Sequence, residues 1–412
     1  MKGRNYPMWV REQGVGRNKS DFITQVMDQL YHGGGDYHTT YWPQPSYLSS
    51  RKYYIESTFA GYHELDFTVD DRNTFYWHYT VPELGVEGSQ CYSCHMTIII
   101  KSSLMQIVET INPGQPALPD WVYNGAILGV QGGTEKMLSR CPLNHVLYFY
   151  CTILSHKPLS YDAGYLGQAR DHDVQVSAMW IQDWSGKIVT GFGTRVFWNW
   201  RWNDTWYPNL DNVIQELDAD GVKMTVYLTP HLNIDGDVYL SAADQENWLT
   251  DETGTLFQDF GEFTVATADI IKPPPDCNCI NTGRDWYKQM IKDNVLSLGI
   301  SGWMADFGEY TPVNARTKFG GRWWGEDESE ILHQIISQEW AQLNREVVEE
   351  EGKLGDILYW MRSGGVNSKF AQVMSWAGDQ LVDWSQSDGL PSSIVSALSL
   401  ASSGEKLTVQ TF

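Results

Sequence analysis

The chain has 412 residues, 42% of them hydrophobic, and a formal net charge of −22 from 29 basic and 51 acidic side chains. That length allows one large domain or two ordinary ones, with enough apolar material for a sizeable core. The acidic surplus argues against a nucleic-acid or anionic-membrane partner, and the absence of an apolar run of about 18 residues argues against a membrane span.

The opening stretch, MKGRNYPMWVREQG, has no apolar h-region. It does not read as a secretory signal, and a cytoplasmic location is favoured. Ser20 is positioned to cap a short helix with Phe22, Ile23, Val26, Met27 and Leu30 on one face, ended by Gly33-Gly34-Gly35. From Tyr53 to Val81 the period drops to two. Leu65, Phe67 and Val69 alternate with polar residues, Asp71-Arg72-Asn73 turns the chain, and Phe75, Trp77, Tyr79 and Val81 resume the alternation, as in an antiparallel hairpin. Thr97 to Ile100 adds another strand. Residues 1–115 are therefore expected to form part of an N-terminal β-sandwich domain, with Asn112-Pro-Gly-Gln-Pro-Ala-Leu-Pro119 as linker.

Residues 116–412 alternate strands and helices. The expected strands are Ala126–Val130, Val176–Ile181, Met224–Leu228, Ile300–Ala305, Ile357–Trp360 and Val373–Trp376. Helix faces follow at Leu210, Val213, Ile214 and Leu217, stopped by Gly221, and at Trp286, Met290, Ile291, Val295 and Leu298. The longest helix runs through Leu332, Ile335, Ile336, Trp340, Leu343 and Val347, and the last spans Ser392–Ala401. Residues 141–172 carry no clean period. The fold class is α/β, a (β/α)8 barrel rather than an open doubly wound sheet. Gln182, His231, Asp306, Arg362 and Asp379 all lie just beyond strand C-termini, where a barrel converges them on one pocket. No glycine-rich phosphate fingerprint follows any strand, which disfavours a nucleotide fold.

The 19 tryptophans and 22 tyrosines fit either a large aromatic core or a sugar site, where flat rings cover pyranose faces. Two acids on separate strand ends suit glycoside hydrolysis: one carboxylate attacks the anomeric carbon and the other protonates the leaving oxygen. Asp306 is the expected nucleophile and Asp379 the expected acid/base, although an acid at a strand end can also simply cap the next loop. Arg362 is placed to orient a hydroxyl or the nucleophile. His231 is placed to donate to a hydroxyl, or is structural. Cys91-Tyr-Ser-Cys94-His95 has the spacing of a haem attachment but lies among strand-like segments, and Cys277-Asn-Cys279 is a poor zinc spacing. No cofactor and no metal are expected, and the six cysteines read as reduced structural thiols.

Two motifs carry a resemblance. Trp303-Met-Ala-Asp306-Phe-Gly-Glu309-Tyr resembles the nucleophile motif of glycoside hydrolase family 31, and Trp376-Ala-Gly-Asp379-Gln resembles its acid/base motif, in the family's order. Glu309 and Trp376 enter the substrate pocket through this resemblance. Within the family the likeness is to the sulfoquinovosidases. Where α-glucosidases of the family carry an Asp, Trp180-Ile-Gln182-Asp183 places Gln182, and Gly193-Thr-Arg195-Val-Phe-Trp198 supplies the Arg and Trp expected to bind a sulfonate. The chemistry is coherent, since a buried permanent anion needs a matched guanidinium fork, and an indole N–H adds a donor without charge. The resemblance implies a retaining α-glycosidase acting on small or oligosaccharide sulfoquinovosides. The alternatives are an α-glucosidase on neutral glucosides and an inactive sugar-binding protein. Six strands, with Lys406–Phe412 as at most a seventh, lead to the expectation of an incomplete barrel. Its wall would have a gap between the first strand and the last, and its activity would be weak or absent.

Overall fold

The structure is a computed structural model that describes residues 5–10, 39–58, 61, 63–68, 76–79, 96–111, 117–137, 164–191, 193–243, 245–260, 263–273, 280–318, 328–371, 373–380, 382–386, 389–404 and 408–409. Its centre is a parallel sheet of seven strands. These are β1 (Ala126–Val130), β2 (Val176–Ile181), β3 (Lys223–Leu228), β4 (Gly302–Ala305), β5 (Leu358–Met361), β6 (Met374–Trp376) and β7 (Thr408–Val409). They pair in simple chain order from β1 to β7. Among the described residues, β1 and β7 are the two sheet edges, which agrees with the expected strand count and the gap between first and last.

The register shows which side chains face inward. Tyr227 lies opposite Met304, Met304 opposite Trp360, and Trp360 opposite Met374. Trp180 aligns with Thr225, which shares that face with Tyr227. Trp180 of β2 and Trp360 of β5 meet edge to face with centroids 6.2 Å apart. A flat sheet would separate strands three places apart by about 14 Å, so this is the concave face of a strongly curled sheet. Side chains alternate with period two. Gln182, Asp306 and Arg362, each two residues beyond Trp180, Met304 and Trp360, therefore emerge on the same concave face at the C-terminal mouth. Gly302 allows the closest approach of β4 and β5, since a Cβ there would sit 2.2 Å from the Leu358 carbonyl oxygen.

Helices cover the other face. They are α1 (Tyr165–Asp171), α2 (Leu210–Ala219), α3 (Thr282–Asn294), α4 (Glu328–Glu350) and α5 (Leu390–Ser402). Leu332, Ile336, Trp340, Leu343 and Val347 of α4 are fully buried, as their spacing requires, whereas Ile335 is only half-buried. Trp303, on the outer face of β4, donates its indole N–H to Asn344 Oδ1 at 2.6 Å. Asn281 caps α3 by accepting from the Gly283 and Arg284 amides, and Arg284 reaches Glu339 and Glu346 of α4 at 2.8 and 3.0 Å.

Among the elements the sequence does not announce, two lie beside the mouth: a hairpin of Lys187–Thr190 with Gly193–Val196, and a three-stranded sheet of His231–Asn233, Phe257–Asp259 and Thr264–Thr267. Both are short-stranded insertions after β2 and β3, too brief for a period to register. The N-terminal region forms two small sheets, one of four strands and one of three. The expected hairpin is there, with Leu65 opposite Trp77, while its turn lies outside the described residues. So do the Ser20 helix, both cysteine motifs and most of residues 141–172.

The N-terminal sheets dock firmly on the barrel. The Val10 amide donates to Gln334 Oε1 at 3.0 Å, and the Val10 carbonyl meets His333 Nε2 at 2.8 Å. Buried Lys369 donates to Glu56 of the three-stranded sheet, and Tyr54 donates to the same carboxylate oxygen. Among the described residues no helix is long and apolar enough to cross a membrane. Lys369→Met leaves the Glu56 carboxylate buried without a counter-charge and is expected to cost about 3–5 kcal/mol. The double variant Lys369→Met/Glu56→Gln should recover most of that loss in urea unfolding, because no buried charge is then left.

Candidate active site

Asp306 is set by the sheet itself. Its amide donates to the Leu228 carbonyl at 2.9 Å, one step beyond the β3–β4 register, so the ladder fixes its backbone. The carboxylate is 6% exposed and fully engaged. Tyr227 Oη donates to Oδ2 at 2.6 Å, and the Phe307 amide donates to Oδ1 at 2.8 Å. Arg362 Nε lies 3.0 Å from Oδ1, although its N–H is not aimed at that oxygen. That contact is therefore Coulombic rather than directional. Burial dominates the titration and lifts the carboxyl to about 6, with Arg362 pulling it down and the charges of Asp379 and Glu309 pushing it up. Burial also raises the Tyr227 phenol, helped by Asp306, so it stays a donor.

Arg362 ties the cluster together. It is 5% exposed and donates through Nη2 to Glu309 Oε1 at 2.5 Å. Burial alone would lower its affinity for a proton, but Asp306 and Glu309 outweigh that and hold it firmly charged. Its guanidinium stacks 4.0 Å from the Phe307 ring centroid, with Tyr41 at 5.2 Å and Tyr310 at 5.9 Å. Phe307 reaches that position in a left-handed conformation, φ 60°. Such strain in a bulky residue costs roughly 1–3 kcal/mol, and here it places the ring under the cation and the amide on the Asp306 carboxylate.

An aromatic wall adjoins this cluster. Trp198, 6% exposed, packs edge to face on Phe307 at 5.0 Å and stacks with His231 at 5.9 Å. His231 is fully buried. Its Nδ1 pairs with Thr267 Oγ1 at 2.8 Å, while Nε2 has no protein partner. Burial, with Arg362 adding to it, lowers its pKa to about 3, so the ring is neutral. Trp376 ends β6 on the concave face, 1% exposed, with an unpartnered indole N–H. Asp379 is exposed on the following turn, and its charge acts on Asp306, Tyr227 and Arg362 together.

Gln182 accepts from Gln131 Nε2 at the β1–β2 side of the mouth. Arg195 is half-buried on the hairpin, opposite Ile188. The described contacts thus join Asp306, Glu309, Arg362, His231 and Trp198 into one cluster and bring Asp379 electrostatically onto it. Gln182 and Arg195 sit on neighbouring elements. The sequence reading missed four supporting residues. Tyr227 could have been found from its concave parity on β3. Phe307 and Tyr41 left no signal. Asp183 accepts from the Gly132 amide and Trp206 Nε1, both at 2.8 Å, and from Tyr207 Oη, anchoring the loop beside Gln182.

Carboxylates and a guanidinium delivered from different strand ends to the mouth of a parallel β/α sheet are the arrangement expected at the rim of a β/α barrel. The chain belongs to glycoside hydrolase family 31: residues 163–408 match the Glycosyl hydrolases family 31 TIM-barrel domain. It is 37% identical over 412 residues to the sulfoquinovosidase of Escherichia coli K12, covering 99% of this chain and 53% of that protein. It is 35% identical over 405 residues to the sulfoquinovosidase of Agrobacterium fabrum, covering 97% and 53%. A solved family 31 sulfoquinovosidase from E. rectale, in complex with an aza-sugar inhibitor, superposes with a TM-score of 0.81 at 35% identity, covering 99% of this chain and 54% of that one. The chain thus spans about half the length of the curated relatives it matches.

Removing the cation exposes the electrostatic design. In Arg362→Met, Asp306 and Glu309 are left as two buried carboxylates without a counter-charge. Without the Arg362 charge that pulls it down, the Asp306 carboxyl, already raised by burial, lies still further above its unfolded value, so the folded state binds more protons and stability falls as pH rises. The variant's melting deficit should be large at pH 7.5, about 3–5 kcal/mol, and should shrink on acidification toward pH 4.5. A deficit independent of pH would show that Arg362 acts by packing alone.

Proposed function

We propose that the chain carries the catalytic machinery of a retaining glycoside hydrolase that cleaves α-sulfoquinovosides. The observation that carries this reading is Asp306, a buried carboxylate held by Tyr227, the Phe307 amide and Arg362 under the charge of Asp379. Asp306 attacks the anomeric carbon and forms a glycosyl ester, while Asp379 protonates the departing glycosidic oxygen. Asp379 then takes a proton from water, whose oxygen attacks the same carbon and releases Asp306. The exposure of Asp379 suits a group that must pass protons to and from solvent. Glu309 holds Arg362 in position, and the neutral His231 is limited to hydrogen bonding. Trp198 and His231 form an aromatic wall beside the cluster, and His231 Nε2 and the Trp376 indole N–H are without a protein partner.

Specificity is assigned to Gln182, Arg195 and Trp198. A sulfonate is fully ionised at neutral pH, and a guanidinium offers it a planar fork of donors. A carboxylate at position 182 would repel it, and a neutral amide does not. The two bacterial relatives named sulfoquinovosidases support this over a neutral hexose.

Turnover of an aryl α-sulfoquinovoside against the matching α-glucoside tests the reading. The sulfonated substrate should be strongly preferred, and Asp306→Asn should lower its kcat by about four orders of magnitude or more. Arg195→Lys should cost about 10- to 100-fold in kcat/KM on the sulfoquinovoside alone. Because Asp306 must be ionised to attack, and its carboxyl titrates at about 6, kcat/KM should fall below that pH. Equal turnover of both substrates would favour the α-glucosidase reading. Binding without turnover would favour the sugar-binding one.

A further inference from the structure

Tyr41 lies more than 250 positions before Asp306, on a short segment following the paired strands Asn5–Val10 and Thr39–Thr40, yet it is wedged into the active site. Three contacts place it. Its carbonyl accepts from the Gly364 amide at 3.0 Å, two residues beyond Arg362. Its ring lies 5.2 Å from the Arg362 guanidinium. The ring also presses against Gly378, where an added Cβ would fall 2.4 Å from Tyr41 Cε2. Gly378 has φ 84° and immediately precedes Asp379. Its turn is closed by Gln380 Nε2 donating to the Ala377 carbonyl at 2.5 Å.

The segment behind Tyr41 is itself clamped. Val10 pairs with Thr40 and is held by His333 and Gln334 of α4. The other ring nitrogen of His333 meets the Thr311 carbonyl, two residues after Glu309, at 2.5 Å. The Trp42 ring fills the space over Gly364, where a Cβ would lie 2.1 Å from it. A route of short contacts therefore runs from the helix and loop around Glu309, through the N-terminal strands, to the turn that carries Asp379.

We propose that Tyr41 is a positioning residue that fixes the Asp379 turn relative to Arg362 and Asp306. It thereby sets the separation of acid/base and nucleophile. This rests on the reading of Asp379 as the acid/base. Strands β5 and β6 place Arg362 and Trp376, but the turn beyond Trp376 leaves the sheet. The Tyr41 ring touches both that turn and the guanidinium. A retaining pair works only at carboxyl separations of about 5–5.5 Å, so a turn free to drift by an ångström loses proton transfer first. Gly378 is required because any side chain would collide with the ring and would strain a left-handed position.

Leaving-group dependence tests this. General-acid assistance contributes about 100-fold or more for a poor leaving group and little for a good one. Tyr41→Ala should therefore lower kcat/KM about 100-fold on an alkyl sulfoquinovoside but less than about fivefold on a nitrophenyl one. This is the pattern expected of Asp379→Asn in full. Tyr41→Phe keeps the ring against Gly378 and should recover most of the alkyl-substrate rate that Tyr41→Ala loses. An equal fall on both substrates, or no fall, would overturn the proposal. Hydrogen exchange of the Ala377, Gly378 and Asp379 amides gives a reading without substrate. They should exchange faster in Tyr41→Ala and at the wild-type rate in Tyr41→Phe. If the wild-type chain turns over neither glycoside, the leaving-group comparison does not bear on Tyr41, and the exchange result alone decides it. Unchanged protection in Tyr41→Ala would overturn its role.

Discussion

A guanidinium buried at the mouth of the sheet constrains everything around it. Taken from water, Arg362 must be matched by negative charge, and the charge it finds is Asp306 and Glu309. Two buried carboxylates side by side would otherwise drive one another toward protonation. With the cation present, Asp306 titrates at about 6 despite full burial, which keeps it ionised at neutral pH. The remaining contacts serve this arrangement. Phe307 accepts a strained backbone to lie under the guanidinium, Tyr227 donates to the oxygen that Arg362 does not face, and the Tyr41 ring packs near the guanidinium.

The barrel supplies this geometry through parity. Trp360 and Met304 are neighbours on the concave face, and two residues further along each strand come Arg362 and Asp306. A one-residue slip of β5 against β4 would send the guanidinium to the helix side and leave the carboxylates unpaired. The outer-face pair Trp303 and Tyr359, stacked at 6.1 Å, resists that slip, as does the Trp303 hydrogen bond to Asn344. Core packing and site chemistry are thus two faces of the same strands.

Much of this was legible in the sequence, for a physical reason. Buried parallel strands are short apolar runs, and a polar residue directly after one has to lie at the mouth. Asp306, Arg362 and Gln182 were found that way. His231 was found too, but its burial among Trp198, Phe260 and Phe307, which makes it neutral, depends on the inserted three-stranded sheet. Strands of three or four residues leave too little pattern to read. Tyr41 and the Lys369–Glu56 pair were beyond reach for another reason: they join segments about 300 positions apart, and a contact at that separation leaves no local periodicity.

Asp306 is proposed as the group that bonds to the sugar. Its most direct test is covalent trapping with a fluorinated glycosyl fluoride bearing the sulfonate, which forms the ester quickly and releases it slowly, followed by peptide mass mapping. The account predicts one added glycosyl unit per chain, located on Asp306, formed more slowly below about pH 6 and absent from Asp306→Asn. A label on Glu309 or Asp379, or undiminished labelling of the Asp306→Asn variant, would contradict it.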